Sequence, residues 1–387
     1  MSETKDAENL KEVQLKNIEE LSQKIFGKPS KDIKYLLVTN YIHQLLLQEE
    51  LTRTGLYQWI NVFRGKVMYP RDVVDYNDYD IVQVNLSKQD IHLIGDIRKK
   101  ITGKTQLIVN NDYTTEIWGK TFEFPTQIER ELQHADMLFG TEYYQTTALT
   151  ELSQRKCYVI PHPADVRRIK ASTKPRKKPI ISTIWRRYDT NTLIPSLMVR
   201  NQGMTTQLIG YDKQFDPKLY HTTTLFDYVY AGTNYMDFCN QLAESTIVLD
   251  PFTYHSYSRA TVDTAALGVA VVGSNRTQSM QMCYPHTCVD PWDVTKAREL
   301  IKRLTDDDAF YKQVVDTALE RSEWYNHTNS RERYLVALYD SMYGEKLPVE
   351  EPKFKQKAKG IGDDVLALQN KEANRDAKEE NQGNSIK

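Results

Sequence analysis

Residues 245–274, STIVLDPFTYHSYSRATVDTAALGVAVVGS, constrain the chain more than any other stretch. An apolar strand (247–249) runs into a polar loop (250–258). A helical pattern (259–267), Gly268 and a second apolar strand (269–272) follow. A loop that opens onto a helix N-terminus meets unpaired N–H groups and the positive end of the helix dipole, so it favours an anion. In a parallel sheet, ligands collect outside the carboxyl ends of the strands. A phosphorylated ligand is therefore expected at this loop.

The rest of the chain repeats the theme. Short apolar strands are expected at 35–39, 80–85, 106–109, 137–140 and 158–160, with helices at 41–54, 88–100, 125–134 and 143–152 between them. Residues 55–65, GLYQWINVFRG, read as a further strand and turn. The alternation stops at a basic, proline-containing stretch, 167–178, with seven basic residues in twelve. It resumes with strands at 179–184 and 207–210 and the unit described above, and ends in helices at 296–304, 311–321 and 331–343. Strands of this length alternating with helices imply an α/β architecture, parallel sheets covered by helices on both faces. Four segments are expected: an N-terminal amphipathic helix (1–30), two Rossmann-like halves (31–172 and 173–345) and a polar, mostly disordered tail (346–387). The N-terminal helix is expected to dock on the body or on a partner, a second copy of the chain included.

Bulk properties exclude several classes. A net charge of −1 in 387 residues gives no general attraction to nucleic acid or membranes. The basic stretch reads as a solvated linker or as a local site for an anionic acceptor. No apolar run is long enough to span a bilayer, and the polar N-terminus does not resemble a signal peptide, so a cytoplasmic protein is expected. Cys157, Cys239, Cys283 and Cys288 lack zinc-type spacing. Asp78-Tyr79-Asp80 matches a metal-binding Asp-x-Asp pattern, but Asp80 opens a strand directly, and no metal or other cofactor is expected.

Four segments, in order, resemble the retaining group of GT-B fold glycosyltransferases, the "glycosyl transferases group 1" type. HADMLFGTEYY (134–144) is similar to its "ADxxxxxSEY", and CYVIPHPAD (157–165) to its "VxVIPNGVD". FCNQLAESTIVLDPFTYHSYSRATVDTAALGVAVVGS (238–274) is similar to its "ADxxVxPSxxEGFGxxxxEAMAxGxPVVxS", and residues 292–314 to the helices that follow. The resemblance covers about 80–340 and implies two Rossmann-like domains facing a cleft, with the acceptor in the first and a nucleotide-sugar in the second.

The resemblance also assigns roles. The family's paired glutamates fall on His255 and Asp263, implying contact with the sugar or phosphate and with the ribose hydroxyls. Ser256, Tyr257 and Ser258 occupy the Gly-rich turn whose amides face the diphosphate. Arg186 and Arg187 stand near the family's arginine. Asn191 replaces the lysine five residues on, and Arg259 is expected to supply the missing charge. Asn111 stands where a histidine is common, and Asp112 beside it is expected to act as base or to orient the acceptor. The implied reaction moves a sugar from a nucleotide-sugar, UDP- or GDP-linked, to an acceptor hydroxyl with retention and without a metal. The acceptor stays open between glycan, protein and nucleic-acid base. A noncatalytic GT-B-like binding subunit and a sugar-nucleotide epimerase are the alternatives.

Overall fold

The computed structural model describes residues 2–40, 55–87, 90–112, 125–172, 178–185, 193–210, 225–230 and 234–344. They form two six-stranded sheets, and every strand pair is parallel. The first contains β1 (Tyr35–Val38), β2 (Lys66–Met68), β3 (Ile81–Asn85), β4 (Gln106–Asn111), β5 (Met137–Gly140) and β6 (Cys157–Val159), in the order β2-β1-β3-β4-β5-β6. The second contains β7 (Lys178–Trp185), β8 (Thr205–Gly210), β9 (Tyr228–Tyr230), β10 (Ser245–Asp250), β11 (Ala270–Ser274) and β12 (Cys288–Val289), in the order β12-β11-β10-β7-β8-β9.

Each order reverses direction once. From β1 the chain steps outward to β2 and then returns to the other side at β3. From β7 it steps to β8 and β9 and returns at β10. Such reversals open a crevice at the carboxyl ends of the two strands involved. In the second sheet the crevice lies beyond Trp185 and Asp250, the point that the loop 251–258 leaves.

Residue alternation explains why each sheet is covered twice. Leu36, Val38, Val82, Val84, Leu107, Val109 and Leu138 pack on one face of the first sheet. Tyr35, Leu37, Ile81, Ile108, Met137 and Phe139 pack on the other. The first face is closed by α3 (Leu93–Lys100), α4 (Pro125–Leu132) and α5 (Tyr143–Ser153). The second is closed by α1 (Ser2–Phe26), α2 (Gly55–Phe63) and α13 (His327–Tyr343), numbered with the intervening α6 (Val166–Ser172), α7 (Leu193–Val199), α8 (Tyr235–Glu244), α9 (Arg259–Ala266), α10 (Gln278–Cys283), α11 (Val294–Asp306) and α12 (Asp308–Ser322) of the second half.

Residues 55–65 correct the sequence reading: α2 is a helix and not a strand with a turn. Its β-branched and aromatic content suggests a strand, but Trp59, Val62 and Phe63 fall on one helical face and are fully or nearly buried. The expected helix at 41–54 lies outside the described residues, as does the polar tail. The amphipathic α1 docks on the body, with Ile18 and Leu21 packed against Leu335 and Leu338 of α13. Gln14 and Asn17 add side-chain hydrogen bonds to Glu332. Thus α13, which follows the second sheet in the chain, completes the core of the first.

The acidic Asp78–Asp80 string sits at the amino end of β3, away from both reversal points. Asp80 accepts the Lys34 amide at 2.6 Å and pairs with Lys28 at 2.7 Å, so it ties the start of β1 to that of β3. All four cysteines are free thiols. No helix among the described residues is long and apolar enough to cross a membrane.

Candidate functional site

The loop after β10 is built around a buried carboxylate. Asp250 Oδ2 accepts hydrogen bonds from Ser258 Oγ at 2.8 Å and Thr261 Oγ1 at 2.5 Å. Ser258 is the N-cap of α9, accepts from the Thr261 amide, and holds a left-handed backbone at φ 58 and ψ 86. That conformation is one glycine adopts freely, and a side chain there costs about 1–2 kcal/mol. A serine is tolerated here because its hydroxyl is held by Asp250 and Thr261.

The three loop residues differ in what they face. The Ser256 amide donates to the Arg276 carbonyl at 3.3 Å, and the Ser258 amide to Ser256 Oγ at 3.3 Å. Two of the three amides expected to face a diphosphate therefore point into the protein. The Tyr257 side chain is buried and donates its hydroxyl to the His162 carbonyl at 2.7 Å. Burying that phenol draws the turn inward. His255 is half-buried, and its ring lies against Tyr144, with centroids 3.9 Å apart. The loop of the second half thus touches the first half at two points.

Arg259 and Asp263, which the sequence assigns to different parts of the ligand, are bonded to each other. Arg259 Nε donates to Asp263 Oδ1 at 2.6 Å across one helical turn, and Asp263 is only 1% exposed. The remaining guanidinium nitrogens donate to the Pro163 carbonyl and to the Tyr235 hydroxyl. Burial disfavours the charged guanidinium, but the adjoining Asp263 carboxylate outweighs it and holds Arg259 above its ordinary value. As folded, one Asp263 oxygen is engaged by Arg259. Arg186, Arg187 and Asn191, just past Trp185 at the end of β7, lie outside the described residues.

In the first half, Asn111 ends β4 fully buried, and Asp112 follows it with its side chain 40% exposed. Asp112 Oδ1 lies 3.1 Å from Nε2 of His162, which stands in the loop after β6. The approach is close but off the axis of a straight hydrogen bond. On the other side of the ring, Nδ1 accepts from Trp59 Nε1 at 3.0 Å. His162 lies within CYVIPHPAD, where nothing in the sequence singles it out. Its two partners lie far away in the chain, and nothing in local spacing announces them.

Next to Asp112 a chain of side chains crosses the sheet. Tyr334 donates to Gln83 at 3.0 Å, Gln83 to Asn110 at 2.8 Å, and Asn110 to Asn85 at 2.8 Å. Glu142 caps α5 by accepting from the amides of Tyr144 and Gln145 at 2.7 and 2.6 Å, which places Tyr144 against His255.

The backbone superimposes on known structures. HepE of Anabaena, solved with UDP and glucose, superimposes with a TM-score of 0.59 at 11% identity, covering 80% of this chain and 100% of that one. The chain has the GT-B fold. Sucrose-phosphate synthase of Thermosynechococcus elongatus matches with a TM-score of 0.60 at 13% identity, over 81% of this chain and 99% of that one. An alpha-glucosyltransferase in complex with UDP and a 13-mer DNA matches with a TM-score of 0.53 at 13% identity, over 76% and 95%. No family model and no curated protein sequence matches the chain. The GT-B assignment therefore rests on backbone geometry, and it agrees with the resemblance carried by the four sequence segments.

Proposed function

We propose that the protein is a glycosyltransferase that moves a sugar from a nucleotide-sugar, UDP- or GDP-linked, to an acceptor hydroxyl, with retention and without a metal. The observation that carries the reading is the loop after β10. It leaves the reversal point of the second sheet and reaches the first half through His255 on Tyr144 and Tyr257 on His162. That gives one crevice a nucleotide-type edge and an edge bearing a half-exposed carboxylate. The structures that this fold matches include ones solved with UDP, UDP-glucose and UDP-2-fluoro glucose.

In this reading the bond between the anomeric carbon and the diphosphate breaks, and the acceptor oxygen bonds that carbon on the face the diphosphate leaves, which keeps the configuration. Charge on the leaving group is met by the N-terminus of α9 and by Arg186 and Arg187. Asp112 holds the acceptor and takes its proton, the buried Asn111 stands behind it, and His255 contacts the sugar or phosphate. Arg259 stays with Asp263 and shapes the loop.

A second reading, a binding subunit without turnover, is favoured by the internal use of the Ser256 and Ser258 amides and by the Arg259–Asp263 pair. A donor screen separates the two. The protein is heated with each common UDP-, GDP-, ADP- and dTDP-sugar, and released nucleoside diphosphate is followed. A donor at 100 times its Kd should stabilise the fold by about 2.7 kcal/mol. Transfer predicts such a shift together with slow hydrolysis that falls about 100-fold in Arg186→Ala. A shift without release, even with acceptors supplied, favours the binding subunit. No shift with any donor sinks both.

A further inference from the structure

We propose that His162 is a positioning residue that holds the Asp112 carboxylate at the crevice, with its own tautomer set by Trp59. The inference rests on the transferase reading and deepens it. An indole nitrogen only donates. Trp59 Nε1–H, 3.0 Å from His162 Nδ1, therefore requires a lone pair on Nδ1. In the neutral ring the proton then sits on Nε2, the atom that lies 3.1 Å from Asp112 Oδ1. No straight hydrogen bond reaches Nε2 among the described residues, and Asp112 Oδ1 is the carboxylate oxygen beside it. A second proton on Nδ1 would set donor against donor at Trp59.

Three further observations describe how His162 is held. His162 is only 1% exposed, whereas the Asp112 side chain is 40% exposed, so the carboxylate has a buried support and an open edge. Gly55 at the start of α2 leaves the space that His162 occupies, because a Cβ there would collide with the His162 side chain. The His162 carbonyl accepts from Tyr257 at 2.7 Å, which joins the support to the loop after β10. A buried donor, an imidazole and a carboxylate thus stand in series, and in this proposal the middle ring orients the carboxylate and does not touch substrate.

The test has one arm independent of turnover. Histidine ring nitrogens of the full-length protein are assigned by 15N NMR, with His162→Gln identifying the signal. The expected result is the Nε2–H tautomer, shifted by Asp112→Asn and losing its single-tautomer signature in Trp59→Phe, which keeps the aromatic bulk. An Nδ1–H tautomer, or a signal indifferent to both substitutions, overturns the relay whether or not the protein transfers sugar. The second arm uses the donor that the screen identifies. His162→Gln and Trp59→Phe should each lower kcat about 10-fold or more, with donor KM within about twofold, and His162→Gln should add little to Asp112→Asn. A rise in donor KM with kcat unchanged would instead make His162 a support of the loop and overturn the proposal. The expected tautomer with no turnover of any donor would confirm the arrangement but overturn its catalytic use, together with the transferase reading.

Discussion

At the scale of single residues, the loop after β10 replaces backbone freedom with hydrogen bonds. Ser258 stands in a left-handed conformation where a glycine would be unstrained, and its hydroxyl is what Asp250 and Thr261 hold. Ser258→Ala keeps the strain and loses the cap, so urea unfolding should show a loss of about 1–2 kcal/mol. Ser258→Gly loses the same bonds but relieves the backbone, and it should lose less than the alanine variant. The reverse order would mean that the conformation, not the cap, is dispensable. Arg259→Met would remove the guanidinium bonded to the buried Asp263 carboxylate, at about 3–5 kcal/mol. A near-neutral result in the same measurement would show that Asp263 finds water or another partner. Motif position assigned Asp263 to the ligand and gave no sign of its bond to Arg259. The i, i+4 spacing to Arg259 was visible in the sequence, but their shared burial was not.

At the scale of elements, strand identity followed from apolar runs, and most central strands were legible. The edge strands β2, β9 and β12 were not, because each has three residues or fewer, whereas the equally short β6 runs on into Ile160. Helix α2 was misread because its composition suits a strand while its spacing suits a helix. The polar chain across the first sheet was beyond sequence reading. Gln83 and Asn110 look like interruptions in IVQVN and LIVNN until the register puts β3 beside β4 and Tyr334 above them. Tyr334→Phe would leave a buried Gln83 oxygen without its donor, so the variant should lose about 1–3 kcal/mol in denaturant unfolding. A neutral outcome would mean that α13 is held by apolar packing alone.

At the scale of the whole molecule, α13 joins what the chain order separates. His327 at its start lies 2.9 Å from Gln58 of α2. Burial holds the His327 imidazole below its usual range, with Asp165 opposing and Arg259 adding to the effect. The unfolded chain, titrating near pH 6.5, binds the proton first. This contribution to stability is therefore present above about pH 6.5 and is lost as the pH falls through the lower folded value. His327→Gln should flatten that acid limb in unfolding curves taken from pH 8 to pH 5. A limb of unchanged slope would assign the effect elsewhere. The two α/β halves were legible in the sequence because they depend on periodicity, and the GT-B assignment because four segments resemble that family in the right order. Long-range support such as Trp59 to His162, 103 positions apart, depends on contacts that no local pattern encodes.

The same helix has a consequence for biosynthesis. Ile18 and Leu21 near the start of the chain share a core with Leu335 and Leu338 near its end. A ribosome therefore releases the first sheet, with α1 and α2, long before the segment that seals them has been made. Closing so long a loop is entropically slow, and until it closes the apolar face around Trp59 and Phe63 stays open to other chains. A nascent chain stalled before residue 327 is the species most prone to aggregate and most in need of a chaperone.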